Sequence, residues 1–175
     1  MQLGQKELLE VFTHLDEELD GCPYSEILVA GGAAIAFWWN DKRTWDVDVV
    51  VDGFPNYLSD AIEIVAERQA LHLRWMNNAA IGIRLPTLST NRTRIFNGRN
   101  LAIFLPDKQY VLAMKLYAHR DKDLEDAIFL ARETKTMIAE ELERLFNKAY
   151  SSQLLSDDIK DFIVAIEENV ETSGI

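Results

Sequence analysis

The sequence predicts an α+β fold, and three observations support that prediction. Residues 8–19 carry apolar side chains three or four positions apart, the spacing of an amphipathic helix. Residues 27–105 mix short apolar runs with helical patterns. The sequence after Pro106 has helical patterns only. Strands mixed with helices and then followed by helices alone are typical of the α+β class.

Each element has its own signal in the sequence. Helices are predicted where apolar residues recur about every 3.6 residues between capping and breaking residues. These segments are 8–19, 33–39, 58–69, 107–119, 124–132, 136–149 and 156–168. Strands are predicted where short runs of apolar residues, or of apolar residues that alternate with polar ones, lie between turns. These runs are 27–30, 45–51, 71–76, 81–85 and 101–105, and we expect residues 86–100 to form a loop or hairpin.

The composition limits the class of protein. The chain has 175 residues, 48% of them hydrophobic and 27% charged, which suits one folded domain with a small appendage. We expect a core over residues 1–106 and a helical C-terminal subdomain over residues 107–175 that packs on the core. The single cysteine, Cys22, fits a reducing compartment. No apolar stretch approaches the roughly 20 residues of a membrane span, so we expect a cytoplasmic protein with no membrane partner.

Charge is distributed unevenly along the chain. A net charge of −11 argues against a general nucleic-acid-coating protein, which is normally basic. Residues 68–106, however, contain no acidic residue and six arginines. Arg92, Arg94 and Arg99 are our candidates for contacts with an RNA or another acceptor, because guanidinium groups match phosphate geometry. We expect the other three, Arg68, Arg74 and Arg84, to pair with acidic side chains.

A glycine pair and an acidic pair point to a chemistry. Gly31 and Gly32 lie between a predicted strand and a predicted helix, where backbone N–H groups can approach phosphate oxygens. Asp46 and Asp48 are two positions apart in a predicted strand, so their carboxylates leave the same face and can hold Mg²⁺ or Mn²⁺. One element would hold a metal ion and the other the phosphates of a nucleotide. This arrangement serves phosphoryl or nucleotidyl transfer.

Each half of this pattern also has a simpler explanation. A Gly-Gly pair is usually a turn, and an Asp-x-Asp pair on a strand is usually solvated or caps a neighbouring element. The combination is rarer than either half. Four valines accompany Asp46 and Asp48, so the strand is suited to burial, and buried carboxylates need compensation. A metal ion would supply that compensation.

Residues 31–51, with the sequence GGAAIAFWWNDKRTWDVDVVV, resemble the nucleotidyltransferase superfamily with the DNA polymerase β-like fold. The signature of that superfamily is Gly-Gly or Gly-Ser followed by Asp-x-Asp or Asp-x-Glu. The pattern is most similar to minimal bacterial nucleotidyltransferases of the AbiEii type, which include toxins of type IV toxin–antitoxin systems. Residues 110–116 and 120–126 are similar to the lysine helix and the basic and acidic cluster of those proteins. The resemblance covers residues 25–132 and implies a mixed sheet flanked by helices, followed by a helical part.

The resemblance implies a role for each matching residue. Gly31 and Gly32 would bind the phosphates of a nucleoside triphosphate (NTP), the substrate. Asp46 and Asp48 would be the catalytic ligands of Mg²⁺. Thr44 would support their loop or contact phosphate. The matching residues of the helical part are Lys115 and Arg120, as nucleotide contacts, and Asp123, as a third carboxylate or base.

One departure from the family pattern leaves two functions open. Polymerase β-like enzymes usually carry the third carboxylate on a later strand, and residues 68–106 offer no acid. In the first alternative Asp123 reaches the site, and the protein moves a nucleoside monophosphate from an NTP to a hydroxyl of RNA, tRNA or a protein side chain. In the second, it binds a nucleotide or a partner such as an antitoxin at a degenerate, non-catalytic site. Lys115 and Arg120 also fit simpler roles on the surface and at the start of helices.

Overall fold

The computed structural model describes residues 1–51, 54–79 and 84–172. These residues form two compact units. The first unit contains the described residues of 1–82 and 92–106, and the second those of 83–91 and 107–175. One junction therefore follows Pro106, and residues 84–91 group with the second unit.

The first unit is built on a mixed sheet that has five strands among the described residues. The strands are β1 (Ser25–Ala30), β2 (Val47–Val50), β3 (Met76–Asn77), β4 (Thr93–Asn97) and β5 (Leu101–Leu105). They lie in the order β3-β2-β1-β5-β4. Strand β1 is parallel to β5 and β2 to β3, whereas the pairs β1–β2 and β4–β5 are antiparallel. The prediction of the α+β class is confirmed.

Helices cover one face of this sheet. They are α1 (Gln5–Glu18), α2 (Gly31–Ala36) and α3 (Asn56–Arg68). Phe12 of α1 packs edge to face on Phe96 of β4, with ring centroids 6.2 Å apart, and Phe96 is in register with Ile103 of β5. Trp75, which is 1% exposed, donates its indole N–H to the carbonyl of Ile62 in α3 over 3.0 Å. The main apolar core of the unit therefore lies between these helices and the sheet.

The opposite face of the sheet has a separate apolar cluster. Leu28, Ala102 and Phe104 are buried together, and Val50 packs against them. Leu28 is in register with Val50, and two residues further along the same strands Ala30 is in register with Asp48. Because side chains two apart on a strand share a face, Asp48 lies on the face of this cluster.

The second unit contains four α-helices among its described residues. They are α4 (Lys108–Ala118), α5 (Leu124–Thr134), α6 (Ala139–Ala149) and α7 (Asp157–Thr172), and a 3₁₀ turn (Asp121–Asp123) leads into α5. An aromatic cluster joins α4 to the end of α6, where the Tyr150 ring lies 4.6 Å from Tyr117 and 5.3 Å from Phe146. Across the described ranges, no helix combines the length and the apolar character that a bilayer crossing requires.

Several predicted strands differ from those observed. The predicted strand over 45–51 is shortened to β2, and the one over 71–76 is wrong except for its last residue. Residues 72–75 instead form a turn, in which Trp75 N–H donates to the His72 carbonyl over 2.8 Å. Of the predicted strand over 81–85, residues 84 and 85 are not in a strand, and 81–83 lie outside the described residues. Residues 86–100 contain β4, so the hairpin alternative is the observed one.

The helix predictions differ mainly at helix ends. Helix α2 spans Gly31–Ala36 rather than residues 33–39. Helix α6 begins at Ala139 rather than at Thr136. The reason is that Lys135 adopts a left-handed conformation, with φ at 55°, and Thr136 N–H returns to the Ala131 carbonyl over 2.9 Å. These residues complete the end of α5 and cannot start the next helix.

Candidate functional site

Gly31 and Asp48 meet where β1 ends and α2 begins. Ala30 is in register with Asp48, so the next residue lies directly beside the aspartate. Gly31 has φ of +60°, and a Cβ atom placed on it would lie 2.5 Å from Asp48 Oδ2. Both the left-handed backbone and the missing side chain are therefore required at this position. The glycine pair and the acidic pair, separate in the sequence, share one location.

Thr44 makes the second contact between the two halves of the motif. A Cβ atom on Gly32 would lie 3.1 Å from Thr44 Oγ1. That hydroxyl donates to the Asp46 carbonyl over 2.8 Å and lies 3.4 Å from Asp46 Oδ1. The Thr44 backbone exchanges hydrogen bonds of 2.7 and 2.9 Å with Leu3. Thr44, which is 7% exposed, thus fixes the chain immediately before Asp46.

The two carboxylates differ in their surroundings. Val47 and Val49 are fully buried in the core, whereas Asp48 between them is half-buried. Asp46 is exposed and lies one residue before β2, so the prediction that both aspartates lie within one strand is wrong for Asp46. Two carboxylates this close in sequence, with one open to solvent, are suitable oxygen donors for Mg²⁺, which keeps several of its waters. In the part of the chain that the structure describes, no three acidic, histidine or cysteine side chains converge on one point.

The basic residues of the loop before Thr44 are held by α1 and by a tryptophan. Arg43 Nη1 lies 3.4 Å from Glu7 Oε1 and donates to the Gln2 carbonyl over 3.5 Å. The backbone N–H of Glu7 itself, followed by that of Gly4 and by Arg43, lowers the pKa of the Glu7 carboxyl, although burial opposes the shift. Lys42 lies over the Trp39 ring at 5.8 Å from its centroid. These contacts fix the loop between α2 and Thr44.

Lys115, Arg120 and Asp123 come together in the second unit as one ion cluster. Lys115 Nζ lies 2.5 Å from Asp123 Oδ1 and 2.8 Å from Asp126 Oδ2. Arg120 Nε lies 2.5 Å from the other oxygen of Asp123. The side chains of Lys115, Asp123 and Asp126 are at most 7% exposed, whereas Arg120 is half-exposed. Lys115 is therefore buried within the unit and is not a solvated lysine on the surface of its helix.

This cluster determines the charge state of Asp123. Burial raises the pKa of Asp123, but Lys115 and Arg120 lower it by more, so the net pKa lies below its ordinary value of 3.8. Both oxygens of the carboxylate accept from cations. A carboxylate held in this way is a weak proton acceptor, because protonation would break two ion pairs. The geometry therefore gives Asp123 a structural role in joining α4 to α5.

The three candidate arginines do not form one surface. Arg94 donates to Asn97 over 3.0 Å and stacks at 5.1 Å from the Phe104 centroid, on the face of the sheet that carries Asp48. Arg92 lines a pocket of about 570 Å³ on that face together with Leu28.

Arg99 lies in the turn between β4 and β5, and Asp16 of α1 holds that turn. Asp16 accepts from the backbone N–H groups of Arg99 and Asn100 over 3.1 and 2.7 Å. Arg99 also lines a surface depression with the acidic residues Asp16, Glu17 and Asp20, which does not suit a phosphate chain. Of the other arginines, Arg68 forms the expected ion pair, with Glu18, and Arg84 donates to the Ser152 hydroxyl over 2.8 Å.

A cleft that the sequence patterns did not predict lies next to Asp46. It has a volume of about 830 Å³, lies wholly within the first unit, and is lined by Trp45, Asp46, Arg74 and Asn77 among others. Trp45 is 65% exposed, although it was predicted to lie within a strand. A tryptophan directly before the first aspartate of the motif is the signal that could have indicated this cleft.

No protein-family model, no curated protein and no solved structure matches this chain.

Proposed function

We propose that the first unit is a nucleotidyltransferase domain of the polymerase β-like kind, which moves a nucleoside monophosphate from an NTP to a hydroxyl acceptor. The observation that carries this proposal is the approach of Gly31 to Asp48, where a Cβ atom would lie 2.5 Å from the carboxylate. The proposed phosphate-binding glycines and the proposed metal ligands are thereby adjacent. The mixed sheet, with its acidic strand antiparallel to the strand before the glycines, supports the proposed fold.

Asp46 and Asp48 would hold Mg²⁺ or Mn²⁺, since their oxygens are of the kind these ions prefer. When bound, the metal would neutralise charge on the phosphate oxygens of the substrate. The backbone at Gly31 and Gly32, which has no side chain in the way, would receive the β- and γ-phosphates of the NTP. Thr44 would keep Asp46 in place through its hydrogen bond of 2.8 Å to the Asp46 carbonyl.

In the proposed reaction the acceptor oxygen forms a bond to the α-phosphorus of the NTP. The bond from that phosphorus to the pyrophosphate oxygen breaks, and pyrophosphate leaves with the bonding electron pair. The acceptor hydroxyl loses its proton to water, which has access because Asp46 is exposed. Alignment of the two reactants would supply much of the rate increase, because it replaces a bimolecular encounter by a bound geometry.

A second candidate function is nucleotide or partner binding without transfer, for example in a pair with an antitoxin. The ion cluster around Asp123 favours it, because both oxygens of this residue are already paired with Lys115 and Arg120. A site that lacks a free third carboxylate would still bind an NTP through the glycines and a metal. Transfer would then be slow or absent.

The experiment that separates the two functions is transfer of label from an NTP that is radioactive at its α-phosphate. The purified protein is incubated with Mg²⁺, each of the four NTPs, and total RNA or protein as acceptor. An active transferase labels an acceptor, and Asp46→Asn or Asp48→Asn reduces the labelling by at least about a hundredfold, because the charge stabilisation by a metal is worth several kcal/mol.

Asp41→Asn is the matched control, since this exposed aspartate lies in the same loop and undergoes the same change of charge. It should label the acceptor as the wild type does. Labelling that survives in both Asp46→Asn and Asp48→Asn would contradict the proposal. Mg²⁺–NTP binding without any labelled acceptor would support the second function.

A further inference from the structure

We propose that the cleft beside Asp46 is the acceptor subsite and that it binds an unpaired nucleotide of a single-stranded RNA, with the base stacked on Trp45. This inference rests on the proposed function, because it names the second substrate of the same site. It also assigns acceptor binding to residues other than the arginines that the sequence first suggests.

The cleft has the shape and the lining of a ligand site. Its volume of about 830 Å³ lies within the range of small-molecule pockets, about 300–1,000 Å³. Trp45 is 65% exposed and Leu73 is 57% exposed at its edge. Large apolar side chains exposed together at a cleft commonly mark a binding surface. The indole offers a flat face on which any base can stack.

Polar groups on the wall formed by residues 72–79 complement this apolar surface. Arg74 is exposed and can meet a phosphate. The wall is fixed by its own hydrogen bonds: His72 Nδ1 accepts from Arg74 N–H over 3.1 Å, and Asn77 Oδ1 accepts from Ala79 N–H over 2.9 Å. Trp45 and Arg74 line the same cleft, and aromatic rings and guanidinium planes are the groups on which RNA-binding proteins stack unpaired bases.

The position of the cleft favours the acceptor over the NTP. Asp46 lines the cleft, whereas Gly31, Gly32 and Asp48 do not. The proposed phosphate site and the cleft therefore meet at Asp46 from different sides. A terminal hydroxyl of a strand bound in the cleft would reach the carboxylate that the proposed reaction places beside the α-phosphate.

An unpaired RNA end fits the cleft better than the arginine surfaces do. Arg99 lies among three acidic residues, and Arg94 is engaged by Phe104 and Asn97. The cleft combines an exposed tryptophan with Arg74, and its lining over residues 71–79 carries no acid, so that Asp46 and Glu63 are its acidic lining residues. Aromatic stacking combined with basic side chains is how proteins bind single-stranded nucleic acid without sequence preference.

The test is the affinity for a fluorescein-labelled single-stranded RNA octamer, measured by anisotropy with Mg²⁺ and without an NTP. Trp45→Ala should weaken binding by about tenfold or more, whereas Trp45→Phe should stay within about threefold because phenylalanine also stacks. Arg74→Ala should reduce the slope of log affinity against log salt concentration by about 0.7, the value for one phosphate contact on a single strand. Arg144→Ala, an exposed arginine of α6, is the control and should bind as the wild type does.

The inference is overturned if the wild type does not bind the octamer, or if Trp45→Ala binds it equally well. It is also overturned if only Arg92→Ala and Arg94→Ala lose affinity. The rise in melting temperature with Mg²⁺–NTP, measured on the same proteins, tests the proposed function separately. Trp45→Ala should keep that rise. A wild type that binds RNA through Trp45 but shows no rise would contradict the proposed function and leave the RNA site in place.

Discussion

A Cβ atom on Gly31 would lie 2.5 Å from Asp48 Oδ2, closer than any side chain tolerates, and Gly31 also has a left-handed backbone with φ of +60°. The first residue after β1 and the carboxylate of β2 are thus in direct contact. Substitution of the glycine would have to displace the aspartate, which connects the stability of the fold to the geometry of the proposed site.

Three glycine-to-alanine variants separate backbone strain from steric overlap. Gly31→Ala combines both and should lower the free energy of unfolding by more than about 2 kcal/mol. Gly21 has φ of +80°, and no heavy atom lies within 4 Å of a Cβ placed on it. Gly21→Ala should therefore lower the free energy of unfolding by about 1 kcal/mol through backbone strain alone. In Gly32→Ala the new Cβ would meet Thr44, with Oγ1 nearest at 3.1 Å, and the position lies in a helix, so the net change in the free energy of unfolding should stay within about 1 kcal/mol. Urea denaturation measures all three.

Equal destabilisation by Gly31→Ala and Gly21→Ala would show that Asp48 moves freely, and would contradict a fixed contact between the two halves of the motif.

The stability of Lys115 variants distinguishes a structural role of this lysine from a nucleotide-binding role. Lys115→Ala leaves two carboxylates in a buried cluster without their common cation and should lower the free energy of unfolding by about 3–5 kcal/mol. Arg120→Ala removes a half-exposed partner and should cost about 1 kcal/mol or less. The measurement is chemical denaturation of both variants, with a probe in the second unit such as Tyr150 fluorescence. The result that would restore the phosphate-contact role is a Lys115→Ala protein of normal stability that no longer binds Mg²⁺–NTP.

The lowered pKa of Asp123 predicts acid sensitivity of defined sign. The ionised form is favoured in the folded protein, so its contribution to stability is full above pH 3.8, the ordinary pKa, and is lost as the pH falls through the lower folded value. Asp123→Asn removes this contribution. The difference in unfolding free energy between wild type and variant should therefore shrink as the pH is lowered below 3.8. A difference that is the same at pH 7 and in this acid range would show that Asp123 does not gain from its cations.

The turn after β4 provides a test of the contact between Asp16 and the backbone N–H groups of Arg99 and Asn100. A Cβ atom on Gly98 would lie 2.1 Å from Asp16 Oδ1, so Gly98→Ala should destabilise the protein by about 1–3 kcal/mol through overlap. In an Asp16→Ser background the same substitution should cost less, because the longer side chain is gone. A double-mutant cycle by urea denaturation measures the coupling. Additive effects would mean that Asp16 of α1 does not hold this turn.

Much of the fold follows from local patterns. The strand over 101–105 is observed with the predicted bounds, because five consecutive buried apolar residues between a turn and Pro106 have few other structures. The run 71–76 was misjudged for a physical reason. Apolar residues alternate with His72 and Arg74 in this run, which favours a strand. Leu73 is nevertheless exposed, and the Trp75 side chain turns inward to donate to a helix carbonyl, so the residues form a turn that Trp75 fixes to α3.

The site was predictable only where its residues are close in sequence. The glycine pair and Asp48 meet because β1 and β2 are antiparallel neighbours, with Ala30 in register with Asp48. The partners of Lys115 and the exposure of Trp45 depend on packing between distant segments or on the absence of cover, and no periodicity encodes either.

Calorimetric titration of Mg²⁺–NTP into the protein decides whether Gly31, Asp46 and Asp48 form one metal and nucleotide site. We expect measurable binding by the wild type and by Asp41→Asn. The affinity should be weaker by at least about tenfold in Asp48→Asn and in Gly31→Ala, because each loses or displaces a charged oxygen donor. Equal affinity in all four proteins, or no binding by the wild type, would contradict the claim.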